Sequence, residues 1–260
     1  MKHLHRLLLA ATLFALMLCP AGAAPVPFDH AYPLLDQVLH SRVKDALVNY
    51  AALKADPKNL HAALDQMAAV TEAEFNQWTP PQQLAFLINL YNAATLRLIV
   101  EHYPVKSIKK IGGWFTSPWE LPVVRLFGRT NTLDYLEHGV IRARYDDPRV
   151  HFALVCAALG CPPLRGEVYT AGKLEHQLED QGQQFLATKA KNSIDESGRV
   201  LHLSPIFKWY AADFEKKSGS VQKFVAPYFP AGPRAALAQG DWRIHHTDYD
   251  WSLNEWKPAR

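Results

Sequence analysis

The chain has 260 residues, a formal net charge of +3, and 48% hydrophobic and 11% aromatic residues. That composition fits a packed globular protein and excludes a disordered one. The small charge gives no electrostatic reason to expect nucleic acid or an anionic membrane surface as a partner.

Residues 1–23 read as a secretory signal peptide. Lys2 and Arg6 make a basic start, Leu7 to Leu18 is an apolar run, and Ala21-Gly22-Ala23 supplies small residues before a cleavage point after Ala23. The run is too short to span a bilayer. Cys19 follows Leu18, which is not small, so its removal is expected rather than its lipidation. Loss of Lys2 and Arg6 takes the basic count from 28 to 26 against 25 acids, a net charge of about +1. Residues 24–260 are expected to form one domain in an extracytoplasmic compartment, periplasmic or secreted. No later segment approaches the ~18 apolar residues of an integral membrane helix.

In chain order, Leu34, Leu35, Val38, Leu39, Val43, Leu47 and Val48 recur near helical spacing. They predict a helix from Tyr32 to Leu39 and a second element ending near Tyr50. After the Asp56-Pro57 turn, Leu60, Ala63, Leu64, Met67 and Ala68 predict a short amphipathic helix. Thr79-Pro80 is a cap followed by a proline that loses nothing by lacking an N–H. The helix it starts, Pro80–His102, is apolar nearly all round and should be central and buried. Asn89 and Asn92 lie on one side of it, and buried amides need partners. They either tie a neighbouring loop to the helix or line a cleft.

Gly112-Gly113 and two prolines mark a loop anchored by Trp114 and Trp119. Val123 to Phe127 reads as a strand, and Leu133 to Ile141 as a short helix. In that helix Asp134 and His138 have the spacing of a metal pair, which a surface ion pair shares, so no metal is assigned. Val150 to Val155 reads as a buried strand, with a helix as the alternative. Tyr169 to Thr188 is helical, Asp195 to Gly198 a turn, and Val200 to Leu203 a strand. Ser204-Pro205 starts a helix with Ile206, Trp209, Tyr210 and Phe214 inward and Asp213 on the same side as Trp209 and Tyr210. Val221 to Phe229 is a further helix and Trp242 to Ile244 a final strand. The sum is one α+β domain with a buried central helix and a small mixed or antiparallel sheet.

The segments NLYNAATL, HFALVCAALGCPPLR, LSPIFKWYAADF and YDWSLN together resemble the domain-of-unknown-function 547 family over about residues 40–254. The family pattern matches Asn89, Tyr91, Asn92, His151, Cys156, Cys161, Phe207, Trp209, Tyr210, Asp213 and Phe214. The resemblance implies a shared fold and no known reaction. It is loosely similar to papain or transglutaminase-like folds, by analogy only.

Cys156 and Cys161, with four residues between them, admit three states: a structural disulfide, a catalytic or redox cysteine, and buried free thiols. An oxidising compartment favours the disulfide. Two cysteines without a second close pair make a poor zinc site. A Cys156–His151 dyad is disfavoured, because five positions along a helix turn side chains ~140° apart. His202 is the better distant base, with Asn92 or Asp213 as orienter. The function expected is a hydrolase or acyl transferase acting on an amide or ester bond without a cofactor. Its cleft would hold Asn89, Asn92, His151, His202, Trp119, Trp209, Tyr210 and Asp213 and bind a small molecule or peptide. The alternative is a non-catalytic binding or scaffold domain stapled by Cys156–Cys161. Convergence of Asn92, His151 and His202 on one cleft favours the enzyme, and dispersal the alternative.

Overall fold

Proline and capping residues open the first helices. The structure, a computed structural model, describes residues 27–113 and 115–257. Residues 1–23, read above as a signal peptide, and Trp114 lie outside the described residues. Helix α1 (Pro33–Arg42) has proline in its first turn and buries Leu35, Val38 and Leu39. The second element, read at helical spacing, is instead a hairpin of β1 (Val43–Lys44) and β2 (Leu47–Val48). Asp45 and Ala46 take φ of 50° and 64°, the left-handed pair a two-residue hairpin turn demands. Helix α2 (Tyr50–Ala55) is capped by the Asn49 side chain, which accepts from the Ala52 N–H. Helices α3 (Lys58–Ala69) and α4 (Glu72–Phe75) follow.

Helix α5 (Pro80–His102) is the centre of the larger core. Thr79 and Gln82 form a capping box at its start, and its interior residues are buried on every side. The expectation that no later segment reaches membrane length needs correction here. By length and composition α5 is apolar enough to cross a bilayer, but 89% of its most apolar window is buried inside the protein.

A loop with short 3-10 turns at Ile108–Lys110 and Pro118–Glu120 leads to a second hairpin, β3 (Val124–Leu126) and β4 (Arg129–Asn131). A π-helical segment, Tyr135–Ile141, then runs into α6 (Arg142–Arg144). Val150 to Val155, expected as a strand, begins as one helical turn, α7 (Val150–Ala153), and becomes extended only at Leu154. The cause is local. The Asp147 carboxylate accepts from the Arg149 N–H, and the Asp147 and Pro148 carbonyls accept from the N–H groups of Val150 and His151. These short-range bonds win over β propensity.

Helix α8 (Leu174–Ala187) leads to β5 (Ser193–Asp195) and β6 (Val200–Leu203). Helices α9 (Ile206–Trp209), α10 (Ala211–Ser218), α11 (Val221–Val225) and α12 (Ala231–Gln239) precede β7 (Arg243–His246). Strand β6 pairs antiparallel with β5 and parallel with β7, so the largest sheet is mixed. The parallel pair requires a long crossover, which α9 to α12 supply. Helix α12 was not expected: Gly232 and Pro233 disguise its start, and it buries only Leu237.

Two apolar clusters meet at α7. Val150 and Ala153 join the cluster around α5, while Phe152 joins Phe185, Phe207, Phe214 and Phe224 in the other. The whole is one α+β domain. The papain or transglutaminase analogy finds no support in an architecture whose strands fall into three separate small sheets.

Candidate functional site

His151 sits on α7 between the two clusters and is 3% exposed. An imidazole so buried must bond to something. Its Nε2 lies 2.7 Å from Oδ2 of Asp213 on α10. Arg142 holds the same carboxylate with two bonds, Nε to Oδ2 at 2.7 Å and an Nη to Oδ1 at 2.8 Å. The guanidinium bonds hold Asp213 down to about 2, with the His151 bond adding to them. Burial pulls His151 down to about 4 against the pull of that carboxylate. Arg142 already neutralises Asp213, so the carboxylate cannot offset the desolvation of a charged ring. At neutral pH His151 is therefore the uncharged donor of an Nε2–H, and its buried Nδ1 has no hydrogen-bond partner among the described residues.

The ring of Tyr210 lies flat on His151, with centroids 3.8 Å apart, and faces a cleft of about 410 Å³. That volume is in the range of small-molecule sites. Four separate stretches bring aromatic groups to it. Trp119 comes from the 3-10 turn that Ser117 caps, Tyr91 from α5, Trp209 and Tyr210 from the α9–α10 joint, and Tyr249 and Trp251 from the C-terminal tail. The tail is laid down as a strap by backbone bonds from Leu159 to Ser252, Gly160 to Asp250 and Leu253 to Lys106. Trp251 stacks with Trp209 at 5.9 Å and meets Trp119 edge-on at 5.8 Å. Tyr249 completes the wall, 4.5 Å from Trp251 and 4.8 Å from Trp209.

Glu137, 6% exposed, lines the same cleft from the π-helical segment. Its nearness, after burial, drives the Tyr91 and Tyr210 phenols further above their ordinary range. Among the described residues Glu137 forms no ion pair, unlike Asp134, which is 3.6 Å from His138, and Asp213. No cluster of three His, Cys, Asp or Glu side chains is arranged for a metal among the described residues.

Cys156 and Cys161 also line the cleft, with their sulfurs at disulfide-bonding distance and their Cα atoms 6.3 Å apart. The hydroxyl of Tyr249 touches both sulfurs, at 3.1 and 3.2 Å. The change from helix to extended chain at Leu154 lets His151 and Cys156 face one cleft despite their separation of five.

The structure thus brings together His151, Cys156, Trp119, Trp209, Tyr210 and Asp213. It does not bring in three of the expected residues. Asn89 bonds both backbone groups of Tyr169, at 2.8 and 2.9 Å. Asn92 bonds the Ala153 carbonyl at 2.9 Å and the Val155 N–H at 3.0 Å. Both amides tie loops to α5, and neither lines the cleft. His202 is paired inside the sheet, opposite Ser193 and beside His245, and is absent from the cleft. A Cys156–His202–Asn92 triad is therefore not formed. Sequence reasoning missed Glu137, Tyr249 and Trp251 and gave Tyr91 no role in the cleft.

A second hollow, about 730 Å³, lies on the far side of Cys161 and Pro162. Its strongest charge is already spent, since Arg165 is paired with Glu167 and Asp180.

No curated protein and no solved structure matches the chain. The span that matches a family model is shorter than residues 40–254, and Trp209, Asp213, Tyr249 and Trp251 lie beyond it. That span, residues 75–186, matches the model of the DUF547 family, described as a protein of unknown function, and it holds α5, Glu137, His151 and both cleft cysteines.

Proposed function

We propose that the protein is an exported ligand-binding domain whose aromatic cleft takes a small molecule. One observation carries this reading: Trp119, Trp209, Tyr249 and Trp251, drawn from distant parts of the chain, form one wall of a cleft that the buried Glu137 also lines. A core alone would leave no such hollow beside a carboxylate. The catalytic alternative loses its nucleophile if Cys156 is bonded to Cys161. It also loses His151 as a base, because both ring nitrogens are buried or bonded and the ring is held at about 4. Export rests on the order of basic, apolar and small residues in 1–23, and a Cys156–Cys161 disulfide agrees with an oxidising compartment.

Ligand-observed NMR with a library of small polar and aromatic molecules tests the cleft. Hits should be lost on Trp209→Ala, a residue 48% exposed and so removable without unfolding the domain. Hits indifferent to that change would sink the reading. Thiol titration of the denatured, unreduced protein should find no free thiol in the processed chain. N-terminal sequencing should find the chain starting at Ala24.

Hydrolase or acyl-transferase chemistry on an amide or ester keeps one observation in its favour. Glu137 is a buried carboxylate without a basic partner, opening on the cleft, which is what a general base for water requires. Turnover of simple esters or amides that Glu137→Gln abolishes would move the protein to that class.

A further inference from the structure

We infer that the cleft selects a small molecule with an organic ammonium group; this rests on the binding reading above and names its ligand class. The argument is a census of charge and of hydrogen-bonding character. Two carboxylates, Asp134 and Glu137, line the cleft, and no Lys or Arg does. The nearest guanidinium, Arg142, is committed to both oxygens of Asp213. The other lining groups are aromatic rings, Ser117, two histidines, the cysteine pair and three apolar side chains.

An anionic ligand would meet Glu137 with no Lys or Arg lining the cleft to compensate it, and two charges of one sign in a partly dry cleft repel strongly. A sugar would find rings to stack on. It would not find amide or guanidinium groups, because no Asn, Gln or Arg lines the cleft. An ammonium group suits both features at once. The faces of Trp and Tyr carry negative potential that attracts cations, and quaternary ammonium ligands are held by such cages. The carboxylate supplies the counter-charge.

The rings already show this behaviour at the rim. The Lys109 ammonium rests 4.7 Å from the Trp251 centroid, and the Arg142 guanidinium 5.3 Å from that of Tyr210. His151 does not oppose a cation at neutral pH, since burial keeps it uncharged. His138 turns Nδ1 to Arg142 at 2.6 Å and Nε2 toward Asp134.

The test uses the full processed chain and three probes: choline, its uncharged carbon isostere 3,3-dimethylbutan-1-ol, and methyl glucoside. Binding is read by calorimetry and by tryptophan fluorescence. Choline should bind at least tenfold more tightly than the isostere. Glu137→Gln should weaken choline about tenfold and leave the isostere unchanged, a difference of about 1.4 kcal/mol. Asp134→Asn, at a side chain 55% exposed, should weaken it severalfold and keeps the test open if the Glu137 variant folds poorly. Equal binding of choline and the isostere, or choline affinity unmoved by both carboxylate variants, would overturn the inference. So would failure of choline to bind. If the isostere or the glucoside binds instead and Trp209→Ala abolishes it, the cleft remains a ligand site and only the ammonium assignment falls.

Discussion

Replacing His151 with glutamine should flatten the loss of stability between pH 7 and pH 4.5. His151 has an ordinary value of 6.5 and is pulled to about 4 in the folded protein, first of all by burial. Its folded value is depressed, so the unfolded chain binds the proton first as pH falls. The associated stability is complete above pH 6.5 and disappears as pH descends toward 4. For one group with those two values the linkage relation gives about 2.5 kcal/mol lost by pH 4.5. The substituted glutamine would still donate to Asp213 but has no proton to gain. The depression of Asp213 comes first from Arg142, which the variant retains. Other groups with lowered values, among them Asp147, Glu167 and His30, titrate in both proteins and cancel in the comparison. The measurement is the urea midpoint and slope of wild type and variant at both pH values. Wild type should lose about 2–3 kcal/mol more than the variant. Equal losses within about 0.5 kcal/mol would refute the account of a buried, neutral imidazole.

Leu87 on α5 is fully buried, so Leu87→Ala should cost about 2–5 kcal/mol and lower the melting temperature by several degrees. Asn92→Ala removes the partners of the Ala153 carbonyl and the Val155 N–H and should cost about 2–4 kcal/mol in denaturant unfolding. A Cβ on Gly160 would stand 2.8 Å from the ring of Tyr249, so Gly160→Ala should displace that ring, cost about 1–3 kcal/mol and weaken cleft binding together. Glu137→Gln should raise the melting temperature or leave it unchanged, because it removes a buried charge that no described base pairs.

Much of the larger core could be read from the chain because its signals are local. The capping box of Thr79 and Gln82, the proline after it and an apolar run on every face define α5 without reference to any other element. Asn89 and Asn92 could be recognised as buried amides in need of partners. Their partners could not be named, since Tyr169 is 80 positions away and Ala153 is 61. The same limit applies to the site. His151 and Asp213 were both marked, yet nothing in a one-dimensional pattern says that they meet, with Arg142, across 62 and 71 positions. The misread strand at Val150 fell to a side-chain bond from Asp147 that periodicity cannot register. Glu137 did leave a signal. It stands three and four positions before Val140 and Ile141, so a helical reading puts it on their buried face. A carboxylate placed on an apolar stripe called for the question already asked of Asn89 and Asn92. Tyr249 and Trp251 belonged to a quoted tail motif, but their place in the cleft depends on backbone bonds to Lys106, Leu159 and Gly160.

The location of the cleft follows from how the two apolar clusters join. A single helical turn, α7, sends Phe152 into one cluster and Val150 and Ala153 into the other, which leaves His151 at the seam. A seam between two cores is where side chains from neither can close the space completely. The chain fills it with a polar brace: Arg142 and Asp213 fix His151, and His151 fixes the plane of Tyr210. Every strong charge in that brace is paired. Glu137, a neighbour on the π-helical segment that leads to Arg142, is buried and outside the pairing. Stability alone gives no reason for this difference, because an apolar side chain at 137 would avoid the desolvation cost. Burial without a basic partner makes sense if a cation arrives with the ligand, and the four-ring wall of the same cleft is the surface such a ligand would cover. The brace then has a mechanical purpose: it holds the Tyr210 ring in place at the cleft, so that less ordering is left to be done when a ligand binds.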